Sequence, residues 1–147
     1  MLIEKNLSLH DYDLKRMVED SKAEGHQFVK RLVDEYADGS NKFDRRGESL
    51  YVAKIEGEVV GIGGLNVDPY LGRNDVGRVR HLYVLSKNRR AGVGRELLST
   101  IIIEAQKHFE TLTLYTTNPV ADKLYRDVGF SKAEGIYKAS HVLNLKK

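Results

Sequence analysis

The sequence contains no cysteine, and this absence removes several kinds of chemistry at once. Without thiols the chain cannot form disulfides, hold a zinc–thiolate site or use a cysteine nucleophile. Long apolar runs are also missing: Ile101-Ile102-Ile103 is among the longest, far short of the ~20 residues that cross a bilayer. The N-terminus, from Met1 to Lys5, lacks the apolar core of a signal peptide. We therefore expect a cytoplasmic protein that does not act at a membrane.

Two common phosphate-binding motifs are absent as well. A P-loop requires G-x-x-x-x-G-K-[ST], and the sequence contains no such string. The dinucleotide fingerprint requires a Gly or Ala three residues after its second glycine, and Leu97 stands at that distance from Gly94. Neither motif therefore explains the glycines of this region.

The overall composition is that of an ordinary globular protein. The chain has 147 residues, 41% hydrophobic and 31% charged, which predicts a single domain spanning residues 1–147. Residues 1–75 contain 11 Lys and Arg against 15 Asp and Glu, whereas residues 76–147 contain 13 against 6. A basic half would attract a polyanionic cofactor and an acidic half a cationic amine. Chance asymmetry on a solvated surface would give the same pattern.

A glycine pair stands between a predicted strand and a predicted helix. This segment, the phosphate loop below, reads Arg89-Arg90-Ala91-Gly92-Val93-Gly94. A β-branched and aromatic run from Val79 to Leu85 precedes it, and an amphipathic run from Arg95 to Phe109 follows it. Glycine lets a ligand approach the backbone, and the first turn of a helix offers unpaired N–H groups and a positive dipole end. The pattern predicts a phosphate pocket, and a plain tight turn before a helix is the alternative.

Two motifs together resemble the GNAT superfamily of N-acetyltransferases. Arg89-x-x-Gly92-x-Gly94 is similar to the acyl-CoA pyrophosphate motif of that family. About 25 residues later, a segment resembles the family's second cofactor segment through Asn118, Pro119, Ala121, Leu124, Tyr125, Gly129 and Phe130. The resemblance implies an acyl-CoA-dependent N-acetyltransferase that uses acetyl-CoA as co-substrate.

The predicted order of elements, β-α-α-β-β-β-α-β-α-β-β, agrees with this resemblance. We expect an edge strand within Met1 to Leu7, a first helix capped by Ser8, a second helix from His26 to Ala37 and a hairpin turning at Glu56-Gly57-Glu58. The resemblance implies an α/β (α+β) fold with a mixed, mostly antiparallel sheet of six to seven strands and about four helices on both faces. It also implies that the fourth and fifth strands splay apart to admit CoA.

The resemblance assigns most of the candidate site to the co-substrate. Backbone N–H groups from Arg90 to Arg95 would hold the pyrophosphate, while the preceding strand, near Leu82 to Val84, would pair with the pantetheine arm like an added strand. The residues assigned to acetyl-CoA are Leu82, Tyr83, Val84, Arg89, Arg90, Ala91, Gly92, Val93, Gly94, Arg95 and Asn118. Asn118 also precedes Pro119 as a helix cap would, and a cap can serve both purposes. We assign no residue to a metal.

Tyr125 is the predicted catalytic residue. The family places a tyrosine there, with its hydroxyl near the sulfur, where it would protonate the departing thiolate. A tyrosine that only packs in the helix is the alternative.

The general base departs from the family pattern. Relatives often carry Glu or His at positions matching Arg78 or Arg80, and arginine stays protonated at any working pH. His81 is adjacent, but strict alternation would point it to the opposite face from Arg80. Asp75 and Glu58 are further candidates, and a water or an already neutral amine needs no base. Arg78 and Arg80 could instead bind a substrate carboxylate, face solvent or pair with acids.

Acceptor selection is expected from the first two helices and the loop from Lys42 to Glu48. Asp34, Glu35 and Asp38 could attract an amine, and Asp44-Arg45-Arg46 could bind a carboxylate. The alternative for each of these groups is an ordinary solvent-exposed side chain. The leading hypothesis is transfer of an acetyl group to a primary amine of a small molecule such as an amino acid or polyamine. A protein or peptide acceptor, or a non-catalytic CoA- or anion-binding module, remains open. We expect no nucleic-acid partner, and the resemblance allows a homodimer.

Overall fold

A computed structural model describes residues 1–5 and 8–146 of the chain. The strands are β1 Leu2–Lys5, β2 Ser49–Ile55, β3 Glu58–Val67, β4 Val76–Val84, β5 Thr111–Leu114, β6 Ser131–Lys132 and β7 His141–Asn144. The helices are α1 Lys15–Ala23, α2 Phe28–Asp38, α3 Val93–Ala105 and α4 Pro119–Asp127. Short 3-10 turns lie at Leu9–Asp11 and Ser86–Asn88. The predicted order of elements is confirmed.

All seven strands form one sheet in the order β1-β2-β3-β4-β5-β7-β6. Every neighbouring pair is antiparallel except β4 and β5, which are parallel. The mixed, mostly antiparallel sheet with four helices confirms the predicted fold class. No helix of the described residues is long and apolar enough to cross a bilayer.

Glycines of β3 let the two faces of the sheet pack closely. A Cβ added at Gly61 would lie 2.9 Å from Leu97 Cδ1 of α3, whereas one at Gly64 would lie 2.5 Å from Phe43 Cε1. Because strand side chains alternate, α3 and Phe43 cover opposite faces. The absence of a side chain at these glycines therefore permits the close approach, and it fixes α3 directly over β3 and β4.

The apolar stripe of α3 forms the centre of the core. Its fully buried members are Val93, Leu97, Leu98, Ile101 and Ala105. Burying one such aliphatic side chain contributes ~1.5–3 kcal/mol, so the stripe anchors the helix whose first turn follows the phosphate loop.

The N-terminal boundaries differ from the predictions. Ser8 precedes the 3-10 turn Leu9–Asp11, and α1 begins only at Lys15. The prediction that Ser8 caps the first helix is therefore wrong, because Leu9 is buried by a turn rather than by a helix. The edge strand is confirmed for Leu2–Lys5, while the remainder of that predicted stretch, residues 6–7, lies outside the described residues.

Candidate active site

The central sheet opens at the junction of β4 and β5. These strands pair only from Val76 with Thr111 to Arg78 with Thr113. Beyond Arg78, residues 79–84 of β4 keep β3 as their described neighbour. The two strands therefore part as the resemblance implies, leaving one edge of the second half of β4 available to an extended ligand.

A β-bulge interrupts β4 within this open half. Two residues, His81 and Leu82, face Gly63 of β3 alone, and His81 has a positive φ of 59°. A bulge breaks the alternation of a strand, so the predicted opposition of His81 and Arg80 does not follow. The His81 ring packs against Phe28 and Phe43, on the face that α2 covers.

The phosphate loop leads from β4 into α3 through two left-handed residues. Arg90 has φ 67°, and Gly92, the N-cap of α3, has φ 82°. No described side chain caps this helix, so the first-turn N–H groups that follow Gly92 are available to a ligand. Successive backbone N–H groups in such a turn form a concave site for an anion. A non-glycine residue in the left-handed region costs ~1–3 kcal/mol, so the surrounding structure must hold Arg90 in this conformation.

The two glycines of the loop serve different purposes. A Cβ added at Gly92 would meet no described atom within 4 Å, so the protein leaves this space open. A Cβ at Gly94 would lie 3.5 Å from Leu124 Cδ2 and 3.6 Å from Val84 Cγ2, an ordinary contact distance. An alanine would therefore fit at Gly94 without displacing α4, whereas Gly92 supplies the left-handed backbone conformation of the turn.

Arg89 is held by α1 rather than left free for a phosphate. Its Nη1 donates to Glu24 Oε2 at 2.7 Å, its Nη2 to Glu24 Oε1 at 2.5 Å and its Nε to the Val84 carbonyl at 3.1 Å. These hydrogen bonds from Arg89 hold the pKa of Glu24 below its ordinary value. The Val84 carbonyl thus already accepts one hydrogen bond, from Arg89. Arg90 and Arg95 are exposed, and neither forms an ion pair within the described ranges.

Asp20 extends the same connection from α1. Its carboxylate accepts from the Tyr83 hydroxyl at 2.6 Å, from the Ser86 amide at 3.0 Å and from Ser86 Oγ at 2.8 Å. Tyr83 also donates to Glu24 at 3.0 Å. Burial, together with these two acids, raises the pKa of Tyr83. Asp20 and Glu24, the acidic clamp below, therefore tie α1 to β4 and the phosphate loop.

Breaking the clamp should weaken acetyl-CoA binding without unfolding the protein. We expect Glu24→Gln to raise the Kd for acetyl-CoA about two- to fivefold, since a partly exposed ion pair contributes ~0.5–1 kcal/mol. Glu19→Gln is the control, because Glu19 is an exposed residue of α1 outside the clamp. It removes the same charge and should leave the Kd unchanged. Calorimetric titration would measure both, and equal shifts would show that only net charge matters.

Tyr125 lies on α4, the helix that follows β5 in the chain. It is 7% exposed, and its ring packs edge-on against Phe130 and beside His141. His141 is itself held by Asp122 at 2.7 Å and Ser140 at 2.8 Å. Burial raises the pKa of the Tyr125 phenol, which keeps it protonated at neutral pH. A tyrosine can donate a proton to a thiolate only while its phenol is protonated.

Asn118 caps α4 as predicted. Its side-chain oxygen accepts from the Val120 amide at 2.9 Å and the Ala121 amide at 3.5 Å, with Pro119 at the first helical position. Gly129, with φ 113°, follows the last turn. The cap sets where α4 begins and hence where Tyr125 stands.

Arg78 is largely committed to the protein. Its Nη2 donates to the Lys138 carbonyl at 2.7 Å, its Nη1 lies 3.5 Å from Asp68 Oδ2, and its guanidinium stacks on Tyr70. Burial lowers the pKa of Arg78, which still stays protonated at neutral pH. Of the alternatives for Arg78, pairing with an acid is confirmed.

His81 is unsuited to act as a general base. Burial, with the charge of Arg80 adding to it, lowers its pKa to about 3. Such a ring is neutral at physiological pH but binds a proton far too weakly to take one from an ammonium. His81 is therefore a buried side chain of the sheet and not the general base.

The acids offered from the sequence are engaged elsewhere. Asp75 pairs with Arg73 at 2.6 Å, and Glu58 pairs with Lys87 at 2.9 Å and with Arg16. Asp34 binds Lys30. Among the described residues no group of three or more metal-ligating side chains lies close enough to hold an ion.

Sequence inspection missed the acidic clamp. Asp20 and Glu24 stand one turn apart on an amphipathic helix, as many solvated acids do, and their partners lie 59 to 66 residues away. Only the fold brings these residues together. The charge excess of the first half of the chain was the single signal, and it could not identify them.

Comparisons with known proteins agree on one family. Residues 13–130 match the Acetyltransferase (GNAT) family. Human N-acetyltransferase 8 is 33% identical over 91 residues, which are 59% of this chain and only 40% of that protein. A proposed acetyltransferase from Exiguobacterium sp. 255-15 superposes with a TM-score of 0.88 at 32% identity, covering 97% of this chain and 92% of that chain. The fold is shared with the Escherichia coli ribosomal-protein-S18-alanine N-acetyltransferase. That structure superposes with a TM-score of 0.70 at 17% identity, covering 99% of this chain and 94% of that chain.

Proposed function

Because the chain belongs to the GNAT acetyltransferase family, whose members are acyl-CoA-dependent N-acetyltransferases, we propose that it transfers an acetyl group from acetyl-CoA to a primary amine of a small molecule. Residues 1–147 would form the single catalytic domain. The observation that carries the proposal is the uncapped start of α3, where Gly92 leaves its Cβ space open to a phosphate.

Each part of the co-substrate has a proposed partner. The pyrophosphate lies on the backbone N–H groups of residues 90–95, with the exposed Arg90 and Arg95 adding positive charge. The pantetheine arm runs along Leu82 to Val84, at the edge that β5 leaves open. Asn118 borders the arm while it caps α4. Arg89 supports the loop through Glu24.

The chemistry is direct attack within a ternary complex. A neutral amine attacks the thioester carbonyl, so that a C–N bond forms while the C–S bond breaks. Tyr125 donates its proton to the departing sulfur, and the proton that the amine loses passes to water and restores the phenol. Holding both reactants in the opening between β4 and β5 contributes much of the rate.

The arginines of β4 remove the need for a side-chain base. A positive charge nearby disfavours the protonated form of an amine and lowers its pKa. Arg80 occupies the position where relatives often carry a base, so its guanidinium would favour the neutral, attacking form of the acceptor. Water can then take the proton released after attack.

A thiol-release assay tests this function. We expect the purified protein to release CoA from acetyl-CoA only when an amine is present, with a rate that saturates in that amine. The panel should contain amino acids, polyamines and short peptides, so that acceptor classes are compared directly. Saturable binding of acetyl-CoA without release from any acceptor would contradict catalysis and favour a non-catalytic module.

A further inference from the structure

One face of β4 carries positive charge that the protein does not fully compensate. Arg78 and Arg80 are two residues apart and pair with Asn66 and Gly64 of β3, so they lie on the same face. Both stand where β4 separates from β5, since Arg78 is the last residue that pairs with β5. The pantetheine arm is proposed to run along the next residues of the same open edge. A group on this face therefore borders the opening in which the thioester is proposed to lie.

Arg78 shows the imbalance most clearly. Its side chain is only 8% exposed, and its Nη1 has no hydrogen-bond partner although Asp68 lies 3.5 Å away. Asp68 already accepts from the Thr113 hydroxyl at 2.5 Å. The Lys138 ammonium lies over the Tyr70 ring, 4.8 Å from its centroid, as the Arg78 guanidinium does. Near Arg78, one carboxylate therefore faces two cations.

Arg80 is half-buried and has no acidic partner in the part of the chain that the structure describes. A partly desolvated cation without a counter-ion is unfavourable, and an anion brought by a ligand would stabilise it. Arginine is also the side chain that best matches the two oxygens of a carboxylate.

His81 adds a poorly satisfied donor beside Arg80. Both of its ring nitrogens are buried, and neither meets the geometry of a full hydrogen bond, although a backbone group of Phe28 lies beside the ring. A neutral imidazole keeps one N–H, which needs an acceptor atom, and buried polar groups are normally paired. Arg78, Arg80 and His81 thus present donors that lack good acceptors, and among the described residues Asp68 is the one acid within ion-pair distance of either arginine.

We propose that the acceptor is an amine with a carboxylate close by, as in an amino acid, an inference that rests on the proposed function. Arg80 binds this carboxylate, with Arg78 and His81 behind it. The same positive charge repels polyamines, whose remaining ammonium groups would lie against the arginines. One cluster would thus select the acceptor by its charge.

Matched acceptors test the inference. Each standard L-amino acid is assayed beside its carboxamide, which keeps the amine and side chain but removes the negative charge. For the side chains that the enzyme accepts, we expect kcat/KM for the acid to exceed that for the amide by roughly tenfold to hundredfold. Arg80→Gln should bring this ratio close to one, and Arg80→Lys should retain part of it.

Arg73→Gln serves as the control, because Arg73 pairs with Asp75 in the exposed loop before β4. It should keep the wild-type ratio, and acetyl-CoA titration should show that Arg80→Gln still folds and binds. A wild-type ratio near one, or a ratio that Arg80→Gln leaves unchanged, would overturn the carboxylate site while amine acetylation stands. If neither acids, amides nor any other amine is acetylated, the proposed function fails and this inference with it.

Discussion

Gly92→Val should abolish measurable acetyl-CoA binding while the protein remains folded. Gly92 has φ 82°, a conformation that a β-branched residue adopts only with strain, and its Cβ would enter space that the protein leaves open. The backbone N–H groups would then turn away from the pyrophosphate. Losing two charge-assisted hydrogen bonds costs ~3–6 kcal/mol, so we expect the Kd to rise about 100-fold or more.

Variants at two other glycines distinguish a general effect of backbone strain from a specific effect on the phosphate loop. Gly39 ends α2 with φ 86° and an equally open Cβ position, so Gly39→Val imposes similar strain far from the loop. Gly94→Ala adds a methyl group at ordinary contact distance from Leu124. Both variants should bind acetyl-CoA nearly as the wild type does. Normal binding by Gly92→Val, or an equal loss in Gly39→Val, would contradict the role of the phosphate loop.

Tyr125→Phe should lower kcat by about 10²-fold or more, because general acid catalysis typically contributes 10²–10⁴-fold. The Kd for acetyl-CoA should change little, since the ring and its packing against Phe130 remain. Burial raises the pKa of Tyr125, so the proton stays in place through neutral pH. Any fall in kcat that reports its ionisation should therefore come above the ordinary tyrosine pKa of ~10. Steady-state thiol release from about pH 6 to about pH 10 would compare kcat of the two proteins, and within that range the wild type should show no fall that reports Tyr125.

Tyr51→Phe is the matched control for this variant. Tyr51 is another buried tyrosine, and it lies on β2. Its hydroxyl accepts a hydrogen bond from Ser49 Oγ, away from the opening. Both substitutions remove one buried hydroxyl, but only that of Tyr125 is expected to act on the sulfur. Equal turnover for Tyr125→Phe and the wild type would mean that Tyr125 only packs.

The sequence predicted the elements that local chemistry determines. Asn118 with Pro119 marked the start of α4, and Glu56-Gly57 marked the hairpin, where both residues have positive φ. The period of the α3 stripe and the two cofactor motifs led to the fold and family, which the match over residues 13–130 confirms. Each of these signals lies within a few residues, where spacing and turn geometry decide the outcome.

The features that the sequence did not predict depend on distant partners. Arg89 was assigned to phosphate, yet Glu24, 65 residues away, holds its guanidinium. The spacing of Leu9 and Tyr12 resembles a helix, but a 3-10 turn places Leu9 in the core. The bulge at His81 arises from its pairing with β3, which no local pattern records. Periodicity reports which side chains are buried, not which partners bury them.

Titration calorimetry with acetyl-CoA and acetyl-pantetheine tests the central claim most directly. Acetyl-pantetheine keeps the thioester and the arm but lacks the pyrophosphate that the loop before α3 is proposed to hold. We predict saturable one-site binding of acetyl-CoA and binding of acetyl-pantetheine at least about tenfold weaker, as the loss of a single charge-assisted hydrogen bond would already require. Equal affinities, or no binding of acetyl-CoA, would contradict the assignment of residues 90–95 as the pyrophosphate site.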